Sequence, residues 1–395
     1  VTKLNGWGGL VTLSIGHMAG MIDLAALPLW IGGLMKFYGL GAPQAGLTVT
    51  MFLASVVLSS VIFAPMFTRL KHRFFACCGY CIAACAFLAA SWQAVSPDSL
   101  APFMVLHAVA GFGVGAALSV THGAMGRTAN PHRLFGIANV AMGILAVIMF
   151  ATLPGLTAAF GGQTIFRAFA VTMAFGAVVA LLFFPAVPQS DAPVPRATRA
   201  TGRKPLGRSA WLTIGTIVCI ALNQAMVFSF VERIGEMHNF AEGTVQKVLI
   251  VTGFVNLLPG ILAALLQKKF APVNVGIAGP ILQAVFALSL TGSTTFAFFA
   301  VPATLYVALV IFTHTFMFGL LSQVDKTGRA VAATPAMMML GSAAGPALGG
   351  FVAAAVGYPG LGWVVAIIAT MAVIFMLLTR RELGRSPQKA MAAAG

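Results

Sequence analysis

Acidic side chains are almost missing from this chain: Asp and Glu together number 8 in 395 residues, and charged residues of all kinds make up 8%. So little charge excludes an ordinary soluble domain, in which about a quarter of residues are charged. Cysteine is scarce too, five in all and each within an apolar run, so no disulfide framework is implied. Cys77, Cys78, Cys81 and Cys85 share one apolar run and Cys219 sits in another. In hydrocarbon such thiols serve as small apolar fillers, so no metal is expected. The His-Glu-x-x-His helix and the serine elbow are both absent, and no catalytic residue is predicted.

What the chain has in abundance is apolar sequence, 59% of all residues. Runs of about 20 apolar residues are long enough to cross a bilayer. Bounded by charge, Pro and Gly, they predict twelve spans near 9–33, 44–67, 74–95, 100–124, 134–156, 164–185, 210–231, 243–266, 273–292, 296–321, 331–356 and 361–379. The expected fold is therefore an all-α integral membrane protein with twelve transmembrane helices. The first span can act as its own insertion signal, so no cleavable leader is required.

The net charge of +15 would suit a nucleic-acid binder, but its placement points elsewhere. With both termini cytoplasmic, nineteen of the 23 Lys and Arg fall on the cytoplasmic side, leaving Lys36, Arg167, Arg233 and Lys247 outside. That asymmetry is the positive-inside signature of a multi-pass protein of the cell (inner) membrane, and it accounts for the basicity without nucleic acid.

The longest polar stretch, Pro188 to Arg208, divides the spans six and six. Its Pro, Arg and Thr content predicts a cytoplasmic linker at 188–209 between an N-terminal bundle, 1–187, and a C-terminal bundle with a short basic tail, 210–395. A faint repeat supports duplication. Ala64 precedes His72-Arg73 as Gly260 precedes Lys268-Lys269, at an offset of 196.

Polar residues inside the spans are few and concentrated. The first span holds His17 and Asp23, the fourth His107, Thr121 and His122, the seventh Asn223 and Gln224, and the tenth Tyr306, Thr313 and His314. Lipid penalises such groups, so they mark a solute or ion path. Asp23 is the one carboxylate well inside a span, which makes it the first candidate for carrying a proton, with His107 second. His122 falls near the cytoplasmic end and reads as interfacial, while Glu232, Arg233 and Glu236 read as a solvated loop cluster.

These features carry a family resemblance. The loop after the second span matches the signature Gly-x-Leu-x-Asp-Arg-x-Gly-Arg-Arg of the major facilitator superfamily at Arg69 and Arg73, with Ala64 for the first glycine, Thr68 for the aspartate and Lys71 for the second glycine. His107, Gly111, Gly113 and Gly115 resemble the family's Arg-x-x-x-Gly-x-Gly pattern in the fourth helix, with His107 in the arginine position. Gly341, Gly345, Pro346, Gly349 and Gly350 resemble the antiporters' glycine-proline signature, displaced to the eleventh span. Asp23 followed by Ala26-Leu27-Pro28 resembles the first-helix pattern of drug/proton antiporters.

The resemblance implies two pseudo-symmetric six-helix bundles whose first, fourth, seventh and tenth helices line a central cavity. His17, Trp30, Asn223, Gln224, Tyr306 and His314 are then expected to meet substrate, and Arg69, Arg73, Gly345 and Pro346 to serve the conformational switch. The expected function is alternating-access transport of a small, partly apolar organic solute, driven by a proton gradient with no other cofactor, by a functional monomer. No Lys or Arg falls near the middle of the four lining spans, so a strongly anionic solute would lack its usual partner. The first-span pattern favours export; uptake of an organic acid or similar nutrient by proton symport is the alternative. A receptor of the same fold and a membrane enzyme rank lower.

Overall fold

A computed structural model describes residues 2–94, 99–187, 206–240, 243–325, 330 and 334–392. Among them, twelve helices are long and apolar enough to cross a membrane. They are Trp7–Phe37, Ala42–Arg69, His72–Ser91, Leu100–Met125, Arg133–Phe160, Gln163–Phe183, Arg208–Phe228, Thr244–Ala263, Pro272–Gly292, Phe296–Val324, Ala336–Val356 and Pro359–Gly384, numbered first to twelfth here. Each overlaps one expected span. Most of the expected linker lies outside the described residues, while Arg208 and Ser209, assigned to it from sequence, open the seventh helix. The last helix runs on through the basic tail to Ala392.

The apolar side chains that stay exposed explain why the bundle belongs in lipid. Val171, Leu265 and Ile367 are each more than two-thirds exposed, and Trp7, Trp92, Trp211 and Trp363 stand out near span ends. Tryptophan at such ends sits at the headgroup level of a bilayer.

Packing repeats between the halves. The first helix packs on the fourth, fifth and sixth, the second on the fourth, and the third on the fourth and sixth; the seventh to twelfth repeat this pattern. Second on eleventh and fifth on eighth join the halves, and each pairing is the image of the other.

The two ends of the bundle differ. At one end the N-terminal strand of chain is tied down: Lys3 bridges to Ala186, and Ala129 N–H donates to Asn5 Oδ1. We call this the terminal end and the opposite one the distal end. Contacts between halves gather toward the distal end, where Gly46 meets the Pro346 carbonyl, Gly350 the Ala42 carbonyl and Gly32 the side chain of Glu232. The fifth and eighth helices meet from Gly143 against Leu257 to Gln246 against the Phe150 carbonyl. The apolar core divides accordingly. One cluster unites the first half with Phe230, Ile234, Tyr306 and Leu361 of the second, whereas Ile217, Phe316, Met317 and Leu320 form a separate cluster toward the terminal end.

Candidate functional site

The first span is two helices, Trp7–Gly20 and Ile22–Phe37, parted at Met21. Gly20 abuts Leu118 so tightly that a Cβ there would lie 2.3 Å from it, and the chain turns at the next residue. Asp23 stands in the first turn of the second piece, buried, its carboxyl beside the backbone N–H groups that open that helix. A helix start carries partial positive charge, so it stabilises a carboxylate that lipid would reject. Pro28 then removes one more backbone donor within the same helix.

Close approach of the first, third and fourth helices makes a second feature. Tyr80 donates its hydroxyl hydrogen to the Gly16 carbonyl at 2.6 Å, and Thr121 packs on the bare face of Gly16. The neighbours of those two residues, His17 and His122, thereby meet with Nδ1 and Nε2 3.0 Å apart. One nitrogen must donate and the other accept, so the pair shares a single proton. Phe135 stands edge-on to both rings, and Asn139 lies alongside His17. Asn139 is one turn toward the terminal end from Gly143, which packs on Leu257 of the second half, and it is exposed. The imidazole pair therefore lies beside the seam at which the halves part. The sequence reading of His122 as interfacial misses this partnership.

Trp30 and His107 belong together elsewhere. Their rings lie 5.6 Å apart inside a box with Phe52, Phe87, Phe103 and Phe166, and both residues are fully buried. His107 Nδ1 bonds the Phe103 carbonyl, while its Nε2 and the Trp30 Nε1 have no partner. In this conformation both are walled inside the first half.

The second half has its own polar network. Asn223 Nδ2 donates to Gln283 Oε1 at 3.4 Å, Gln283 donates to the Ile220 carbonyl, and Tyr306 donates to the Asn223 carbonyl at 3.2 Å. This ties the seventh, ninth and tenth helices together around Asn223 Oδ1, which is buried and unpartnered. Gln283, on a helix outside the expected lining set, escaped the sequence analysis. His314 Nε2 reaches the Ile217 carbonyl at 3.3 Å, joining tenth helix to seventh. Gln224 is half-buried. Asn256 stands at the break in the eighth span before Pro259, its Oδ1 unpartnered.

The switch residues also have places. Arg73 donates through Nε to the Leu181 carbonyl, and Arg69 is exposed. With Thr68 where the signature has an acid, the loop is held through Phe67 instead, stacked on His72 at 4.2 Å, covered by the Arg127 guanidinium at 4.6 Å and set against Gly123 of the fourth helix. Gly345 presses on Ala225 of the seventh helix. Pro346 lacks the N–H of a regular helix, and beside it the Thr50 hydroxyl of the second helix bonds both Ala343 O and Ala347 N.

Among the described residues no group of three or more His, Cys, Asp or Glu could hold a metal. Cys78, Cys81 and Cys85 are exposed on the third helix.

Against this geometry, a sequence model of the Major Facilitator Superfamily matches residues 13–324. The chain belongs to the major facilitator superfamily. Among solved structures, the nucleoside transporter NupG is similar with a TM-score of 0.69 at 14% identity, covering 94% of this chain and 99% of that one. The D-xylose-proton symporter gives 0.67 at 16% identity, covering 94% and 97%. A comparison with curated protein sequences finds no match. At these identities the likeness is one of fold. Superfamily membership makes the chain a multi-pass membrane transporter of a small solute.

Proposed function

We propose that this superfamily member moves a small, partly apolar organic solute by alternating access, coupled to protons, with export the working direction. The observation that carries the reading is the uneven joining of the halves: one continuous core at the distal end and separate cores at the terminal end, with polar groups at the seam. With the termini in the cytoplasm, this is an inward-facing state of an inner-membrane monomer. His17, His122 and Asn139 on one side, and Gln224 and Asn256 on the other, offer the hydrogen bonds; Phe135 offers apolar surface. Asp23 carries the proton, because the broken first span sets this lone buried carboxyl at a helix terminus within the membrane. His107 is the alternative carrier. Arg69, Arg73, Gly345 and Pro346 serve the switch, and the proton gradient is the only cofactor.

The first experiment is a thermal-stability screen of the purified protein against organic acids, sugars, nucleosides, amino acids and lipophilic cations, at acidic and neutral pH, with Asp23→Asn alongside. A solute that stabilises wild type in a pH-dependent way, with the dependence lost in the variant, supports the reading. Hits are then followed in vesicles of both orientations under an imposed proton gradient. Expulsion against inward proton flow supports export. Accumulation with the proton supports uptake, the coupling named for the D-xylose-proton symporter, which shares this fold. No binding and no movement by any solute would overturn transport in favour of a receptor.

A further inference from the structure

Beyond the seventh span the chain continues as a short helix, Val231–Met237, laid against the distal part of the first span. Its Glu232 was expected in solvent. Instead its Oε2 is sealed from water with no hydrogen-bond partner, lodged where Gly32 has no side chain: a Cβ on Gly32 would stand 2.1 Å from that oxygen. The carboxyl thus fills a side-chain-sized gap in the opposite half. Burial is the main cause that pushes it up to about 7, with Glu236 adding to the rise and Lys36 and Arg233 opposing it.

The surrounding charges act on it without giving its Oε2 a hydrogen bond in this conformation. Arg233 is engaged by Glu236 and by Tyr358, whose hydroxyl also reaches Met35 Sδ at 3.9 Å. Lys36 lies one turn beyond Gly32 and is exposed, and His238 closes the short helix. The eighth and tenth helices turn Val245 and Phe299 toward Gly235, and Lys247 of the eighth is exposed.

We propose that Glu232 is a proton-binding latch on the distal gate: protonated, its carboxyl seats against Gly32 and holds the halves together; deprotonated, it leaves that apolar seat for water and Lys36, and the distal end opens. The proton is exchanged with the distal compartment. This site is separate from Asp23, which lies nine residues back along the same helix, about 14 Å at the usual rise. The latch rests on the alternating-access reading, and it explains how the distal compartment's acidity would bias which end is shut.

The test is hydrogen–deuterium exchange on the full chain in lipid nanodiscs at about pH 5.5 and about pH 8.5, corrected for intrinsic rates. Residues 28–40 and 231–240 are the segments to read. Wild type should exchange on the order of tenfold faster at the higher pH in both segments. Glu232→Gln should stay protected at both, and Gly32→Ala, which evicts the carboxyl, should be fast at both. Equal exchange in wild type at the two pH values, or an unchanged pH response in either variant, would overturn the latch. If Glu232→Gln does not fold, Gly32→Ala decides alone. No solute is needed, so a failed latch and a failed transport reading give different results.

Discussion

The hydroxyl of Thr50 stands inside one turn of a helix belonging to the other half: it donates to Ala343 O at 2.8 Å and accepts from Ala347 N–H at 3.1 Å. Those two groups are an i, i+4 pair, the donor and acceptor that a regular helix joins directly. The second helix thus completes the eleventh beside Pro346 and ties its shape to the closed distal end.

Thr50→Val keeps the shape and removes the hydrogen bonds. It should destabilise the distal-closed form by about 1–2 kcal/mol, read as a lower unfolding temperature and faster amide exchange near residues 42–50, with Thr50→Ser restoring both.

Gly46 meets the carbonyl of Pro346, and a Cβ there would lie 2.1 Å from that oxygen. Backbone cannot yield as a flexible side chain does, so Gly46→Ala should cost about 1–3 kcal/mol and weaken distal closure. Gly155 has nothing within 4 Å, and Gly155→Ala should leave stability unchanged or raise it by up to about 1 kcal/mol. Parallel thermal unfolding of the two variants separates close approach from helix propensity.

Asp23→Asn preserves an acceptor at the helix start and deletes the titration. Folding should change by less than about 1 kcal/mol, while gradient-driven transport falls at least about tenfold and solute exchange persists. Asp23→Ala should in addition lose about 0.3–1 kcal/mol of stability through the missing acid in the first turn. Flux assays with and without an imposed gradient check both.

Glu232 makes a pH dependence of definite sign. The folded, distal-closed form holds its proton more tightly than the unfolded chain, so this stability is full below about pH 4.5 and is lost as pH rises through about 7. The loss is at most about 3 kcal/mol. Wild type minus Glu232→Gln, compared across that window in thermal unfolding, isolates it.

The spans were legible in the sequence because a helix in lipid must close its own hydrogen bonds, so each reads as an unbroken apolar run. The division into halves was expected from the Pro188–Arg208 stretch, most of which lies outside the described residues. The site was legible only as a set of residue types. Asp23 stood out as a lone acid, but its place at a helix start depends on the break at Met21, which follows from Gly20 meeting Leu118 of another helix. Glu232 looked solvated because its neighbours in sequence are charged, whereas Gly32, from the other half, encloses it. The pairing of His122 and the part of Gln283 escaped for the same reason: each takes its meaning from a partner at least 60 residues away.

The uneven division of the apolar core sets where the fold comes apart. Because Phe230, Ile234 and Tyr306 belong to the cluster of the first half, the boundary of cooperative unfolding does not follow the linker. It cuts across the second half, leaving the cluster around Ile217, Phe316, Met317 and Leu320 as a small unit of its own. Under mechanical load or mild denaturant that terminal-end corner yields first, and the other helices give way together as a larger block spanning both copies of the repeat.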